Sequence, residues 1–172
     1  MSPNIDEVKT GGIAEYLPSE LDSRVESCRE VYELNRHRVY SWAFWMTDNE
    51  LAAEELTVQS FGRALAGNDE PTADDIDSAL IAELRDYMPL GTLSLNCPPC
   101  DRVLSVRRNT LRVELERAVM QLPSTEKLIF LMHDAEGYAH DRVARLLNLT
   151  EDDSRRAVHQ ARLRLRELLA DC

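Results

Sequence analysis

The chain has 172 residues, enough for one ordinary domain or two small ones, and its 44% hydrophobic and 30% charged content suits a soluble globular protein with real cores. No stretch approaches the roughly 20 apolar residues that span a bilayer, and MSPNIDEVKTGG has neither the basic start nor the apolar run of a signal peptide, so a cytoplasmic protein with no membrane partner is expected. The net charge of −11 argues against nucleic acid only until the chain is divided: residues 1–100 carry 7 Lys/Arg and 19 Asp/Glu, whereas residues 101–172 carry 13 and 12.

Residues 1–20 are polar, contain Gly11-Gly12 and Pro18, and have no sustained period; a largely disordered arm is expected, with at most a helical turn near Ile13 to Tyr16. From Leu21 the pattern is helical. Val39, Trp42, Ala43 and Met46 fall at i, i+3, i+4 and i+7 and predict one buried stripe. Trp45 lies off that stripe and is expected exposed or at an interface. Thr47-Asp48-Asn49 breaks this helix and caps the next, which runs from about Glu50 to Ala66 and ends at Gly67-Asn68. Asn68 to Asp77, with Pro71, reads as an acidic loop, and Ser78 to Tyr87 as a weaker helix.

Pro89, Gly91, Pro98 and Pro99 interrupt Met88 to Arg102, the best candidate for an interdomain linker. Helical pattern resumes from about Ser105 to Gln121. Leu122 to Thr125 forms a turn and cap, and helices follow over Thr125 to Glu136, Asp141 to Leu147 and Asp152 to Leu169. No useful length of β-type alternation appears. The expected fold is all-α: two small helical bundles, residues 21–88 and 105–172, joined by a flexible linker over 89–104.

Glu136 to Thr150 has a glycine turn, a short helix with Val143, Ala144 and Leu147 on its inner face, and a second turn at Asn148, which tolerates a left-handed backbone. Thr150 to Asp153 caps the long last helix. There Ala157, Val158, Ala161, Leu165 and Leu168 form a buried stripe, and Arg155, Arg156, His159, Arg162 and Arg166 lie off it. An arginine-rich amphipathic helix alone is as readily a bundle helix. The preceding turn and short helix favour a helix-turn-helix whose arginines reach base edges or phosphates.

Ala118 to Leu169 resembles region 4 of the extracytoplasmic-function subfamily of sigma-70 factors, in its Leu122-Pro123 turn, its Glu136-Gly137 pair, the run DRVARLL (Asp141 to Leu147) and the ending HQARLRLRELL (His159 to Leu169). Arg36 to Tyr40, Ala43, Ala53 to Thr57 and Phe61 resemble region 2 of the same subfamily, in the right order. The resemblance implies an alternative sigma factor whose partners are core RNA polymerase, promoter DNA and an anti-sigma factor. It implies DNA contacts at Ser154, Arg155, Arg156, His159, Arg162 and His140, with region 4 reading the −35 element. It implies polymerase contacts at Leu51, Glu54, Glu55, Leu56, Gln59 and Phe61.

Three departures bear on that expectation. Val58 stands where glutamine is usual in the family. Asp75 to Tyr87 holds no tryptophan and only Arg85 as a base, so an acidic first domain would be repelled by the −10 element unless polymerase supplies counter-charge. Asp152-Asp153-Ser154 puts two acids at the start of the recognition helix. The acidic first domain and its missing basic stretch raise the alternative of a sigma-like regulatory module that binds polymerase or a partner and does not open promoters.

An enzyme is not expected, for no acid–base pair, phosphate-cradling loop or activated nucleophile appears at useful spacing, and no cofactor is implied. Cys97-Pro98-Pro99-Cys100 has the spacing of half a zinc site or a reversible disulfide. A linker with chance thiols is the alternative, and Cys97 and Cys100 are the candidate metal ligands.

Overall fold

A computed structural model describes residues 18–68, 70–91, 93 and 110–170. Residues 1–17 of the arm expected over 1–20, and the thiol chemistry expected at Cys97 and Cys100 within the linker, lie outside the described residues. Among the described residues all regular structure is helical: α1 (Pro18–Thr47), α2 (Glu50–Gly67), α3 (Ala73–Tyr87), α4 (Arg112–Met120), α5 (Ser124–Phe130), a π-helical turn (Leu131–Ala135), α6 (His140–Leu147) and α7 (Glu151–Ala170).

The helix ends follow from local chemistry. Asp48 adopts a left-handed backbone (φ 53°), and the Asn49 side chain accepts the Ala52 amide at 3.0 Å, which starts α2. α3 begins five residues before the predicted start at Ser78. Thr72 and Asp75 form a reciprocal capping box, the Asp75 amide donating to Thr72 Oγ1 at 3.2 Å and the Thr72 amide to Asp75 Oδ2 at 2.8 Å. These bonds from Thr72 hold the Asp75 carboxyl below its ordinary range. α1, from Pro18, takes in the last three residues of the predicted arm. α4 begins at Arg112, after an extended Leu111 whose amide donates to Glu114 Oε2 at 2.8 Å; most of the stretch expected as helix before it, from about Ser105, lies outside the described residues.

α1, α2 and α3 pack together as a first helical set, and α7 gathers α4, α5 and α6 as a second. The two sets also pack on each other, through α3 against α6 and α1 against α5. One core is therefore continuous across them: Val39, Trp42, Met46, Ile76 and Leu80 of the first set share it with Leu128, Met132, Tyr138 and Val143 of the second. A smaller cluster of Ala118, Val119, Leu122, Ala161, Leu165 and Leu169 fixes α4 on α7. Trp45, expected exposed or at an interface, is half-buried and packs against both clusters. The predicted stripe on α1 is buried throughout. Met88, Leu90 and Leu93 also pack on the core, and the Gly91 amide donates to Thr125 Oγ1 at 3.0 Å, so the first residues of the expected linker are pinned.

α6 ends at Asn148 with φ 57° and ψ 49°. A left-handed backbone costs a residue with a Cβ roughly 1–2 kcal/mol, least for Asn and nothing for Gly. Asn148→Ala is expected to lower stability by about 1 kcal/mol and Asn148→Gly to leave it nearly unchanged. Urea midpoints of the two variants check this; equal losses would count against it.

Candidate nucleic-acid interface

The helix-turn-helix is built from α5 onward. At the π turn the Glu136 amide donates to the Leu131 carbonyl at 3.1 Å and the Tyr138 amide to the Met132 carbonyl at 2.9 Å. The wider turn aims His133 at the glycine turn and Asp134 at α7. His133 Nδ1 donates to the Tyr138 carbonyl at 2.7 Å, which fixes its tautomer. Asp134 accepts both Arg162 Nε at 2.8 Å and Nη2 at 2.6 Å, a bidentate pair. Gly137 supplies the positive φ (74°) of the turn. α6 then buries Val143, Ala144 and Leu147. At the start of α7 the Asp153 amide donates to Thr150 Oγ1 at 3.1 Å.

α7 buries Ala157, Val158, Ala161, Leu165 and Leu169. Its opposite side exposes Arg155, Arg156, His159, Arg162 and Arg166. These cations are not equivalent. Arg155 is paired with Glu151 and lies 3.8 Å from Asp152, and Arg162 is held by Asp134. Arg156, His159 and Arg166 form no ion pair or side-chain hydrogen bond among the described residues. Two of the six predicted DNA contacts sit inside the module instead. Ser154 is fully buried and shares a 3.0 Å hydrogen bond with His140 Nδ1. His140 is half-buried and stacks on His133 with ring centroids 4.1 Å apart. Desolvation lowers its pKa, aided by His133, Arg155 and Arg162 and opposed by Glu151. Through these contacts His140 ties α6 to α7.

The predicted polymerase contacts also divide. Leu51 (74% exposed), Glu54, Glu55 and Gln59 form an open face of α2, whereas Leu56 and Phe61 are core residues. Phe61 packs edge-on against Tyr32 at 4.9 Å. Val58, 69% exposed and seven residues from Leu51, belongs to the open face; that spacing was the available signal. The face borders a cleft of about 450 Å³ lined by Tyr32, Arg36, His37, Tyr40, Glu54, Thr57 and Val58.

Sequence reasoning missed a polar network between the two helical sets. Asp77 of α3 is fully buried. Its Oδ2 accepts the Tyr138 hydroxyl at 2.7 Å, and its Oδ1 lies 2.9 Å from Arg38 Nη2. Arg38 also donates to the Tyr138 hydroxyl. Arg142 of α6 lies 3.4 Å from Asp77 and 2.6 Å from Asp74, and Arg145 lies 2.9 Å from Asp74. The Arg142 guanidinium covers the Tyr138 ring at 3.6 Å, and Trp42 meets that ring edge-on at 5.6 Å. Arg85 donates to the Leu147 carbonyl at 3.1 Å and Lys127 to the Trp45 carbonyl at 3.4 Å. Burial pushes the Asp77 carboxyl up, against the pull of Tyr138, Arg38 and Arg142. Burial and the adjacent Asp77 raise the Tyr138 phenol. A sequence signal existed: two acids three apart on α3 face two arginines three apart on α6.

Among the described residues no group of three or more His, Cys, Asp or Glu side chains is placed to hold a metal ion, and no helix is long and apolar enough to cross a membrane. None of the curated proteins matches the chain by sequence. Residues 112–165 match the family model for sigma-70, region 4. The fold is similar to that of the sigma factor RpoE from Bartonella quintana, solved in complex with the anti-sigma factor NepR: the TM-score is 0.63 and the identity 17%, over 82% of this chain and 95% of that one. Residues 112–165 thus match sigma-70 region 4, and the chain shares its fold with a solved sigma factor.

Proposed function

We propose that the chain is an alternative sigma factor that binds core RNA polymerase and directs promoter-specific transcription initiation from the cytoplasm. The observation that carries this function is the exposed face of α7. There Arg156, His159 and Arg166 have no ion-pair partner among the described residues, on the second helix of a region 4 helix-turn-helix. In such a module the second helix enters the major groove while the first crosses the backbone. In this role α7 reads the −35 element, and α2 offers Leu51, Glu54, Glu55, Val58 and Gln59 to polymerase. An anti-sigma factor is a further partner, of the class bound to the Bartonella quintana protein. The protein does no chemistry of its own.

Run-off transcription on genomic fragments, with core enzyme plus or minus the protein, tests this function. Products that need the protein support it, and their absence from every template overturns it. The α2 face has its own test. Leu51→Asp with Val58→Asp places two charges on an apolar contact, where truncating one central residue costs about 2 kcal/mol. A loss of core binding of at least about tenfold is expected, with unchanged circular dichroism because both side chains are exposed.

The regulatory module is favoured by a specific observation. Arg85, the sole base of α3, is spent on the Leu147 carbonyl, and Asp74 and Asp77 face α6. Core binding without run-off from any template would select that alternative.

A further inference from the structure

We propose that Asp74 and Asp77 act as an intramolecular phosphate mimic, which occupies the backbone-contacting arginines of region 4 and holds its DNA affinity down while the two helical sets are docked. The proposal rests on the DNA-binding role given to α7 above.

α6 is the first helix of the helix-turn-helix, the one that crosses the phosphate backbone in such modules. Arg142 and Arg145 are its only arginine or lysine side chains. Both point at carboxylates of α3. Asp74 presents Oδ1 to Arg142 at 2.6 Å and Oδ2 to Arg145 at 2.9 Å, bridging two guanidinium groups as one phosphate would. Asp77 adds a second carboxylate 3.4 Å from Arg142 from a fully buried position. The Arg142 guanidinium is further fixed on the Tyr138 ring. Phosphates must displace these acids before α6 can contact DNA, and the acidic first half repels DNA as they do so. The same feature gives a role to two of the α3 acids that look unsuited to DNA, since Asp74 and Asp77 are matched to the bases of α6.

Asp74 is the position to test, because its side chain is 37% exposed and its loss strands no buried charge. Glu70→Gln is the control: it removes the same charge from an exposed residue that has no ion pair among the described residues. The probe is a fluorescent duplex of random sequence, whose binding depends on phosphate contacts, titrated with the full chain over a range of salt. Asp74→Asn is expected to tighten binding several-fold more than Glu70→Gln. It should also steepen the slope of log K against log salt by about one to two, as two more arginines gain phosphate partners. Amide exchange in α6 should quicken in the same variant. Equal shifts for Asp74→Asn and Glu70→Gln, with no change in slope, would overturn the proposal. Failure of the DNA-binding role itself is separate: duplex binding would then be indifferent to Arg156→Ala in every background, whereas a failed mimic leaves binding that needs Arg156 but ignores Asp74.

Discussion

Asp77→Ala should be the most destabilising single polar substitution in the chain, at about 3–5 kcal/mol, the range for removing one partner of a buried ion pair. Loss of the carboxylate leaves the Tyr138 hydroxyl and the Arg38 guanidinium without their anion, and Arg142 with Asp74 alone. For a domain with a total stability of about 5–15 kcal/mol that is a large fraction. Asp77→Asn keeps an acceptor for Tyr138 and should cost distinctly less. Urea denaturation gives both values as midpoint shifts at constant slope; equal, small losses would mean that the network is not a structural unit. The pH dependence has a definite sign. The folded carboxyl sits above its ordinary value of 3.8, so between that value and the raised one the folded chain binds more protons than the unfolded. Stability from this group therefore falls as pH rises through that window. Relative to Asp77→Asn, the chain should gain from Asp77 as pH is lowered, so mild acid does not unlock the seam through this residue.

The second large effect concerns α7. Arg156→Ala with Arg166→Ala removes two exposed cations that have no ion-pair partner among the described residues, so folding should be untouched while duplex affinity falls. Each lost phosphate contact lowers the salt slope by about 0.9, and a lost bidentate base contact costs about 1–3 kcal/mol, or roughly tenfold and more. Arg155→Ala should do less, because Glu151 and Asp152 already hold that guanidinium. Anisotropy titrations over a salt series measure all of these. If Arg155→Ala proved more damaging than Arg156→Ala, the division of this face into free and tied arginines would be wrong.

Local structure was largely legible because it depends on neighbours in sequence. The α1 stripe, the inner face of α6, the left-handed Asn148 and the cap at Thr150 all follow from residue type and spacing. Leu168, expected in the α7 stripe, is only half-buried, and Leu169 takes the inner place, a drift of one residue along a helix of several turns. The early start of α3 was carried by Thr72 and Asp75, a box with Asp in place of the usual Glu or Gln. The family resemblance turns Leu56 and Phe61 outward, whereas both are buried on α2, the helix that packs against α1 and α3. Ser154 and His140 look like DNA contacts by residue type, and only the closeness of α6 to α7 turns them inward. The seam was the least legible, since Asp77 meets Tyr138 and Arg142 across more than sixty residues. A buried Asp in an acidic helix reads as solvated until its partners are seen.

The continuous core has a thermal consequence. Separating the helical sets exposes Tyr138, Met132 and Val143 to water, and burial of such surface is accompanied by a large heat-capacity change and weakens on cooling. The ion pairs at the rim respond to ionic strength instead. Separation of the two sets would therefore answer to two independent controls, temperature through the apolar floor and salt through the charged edge.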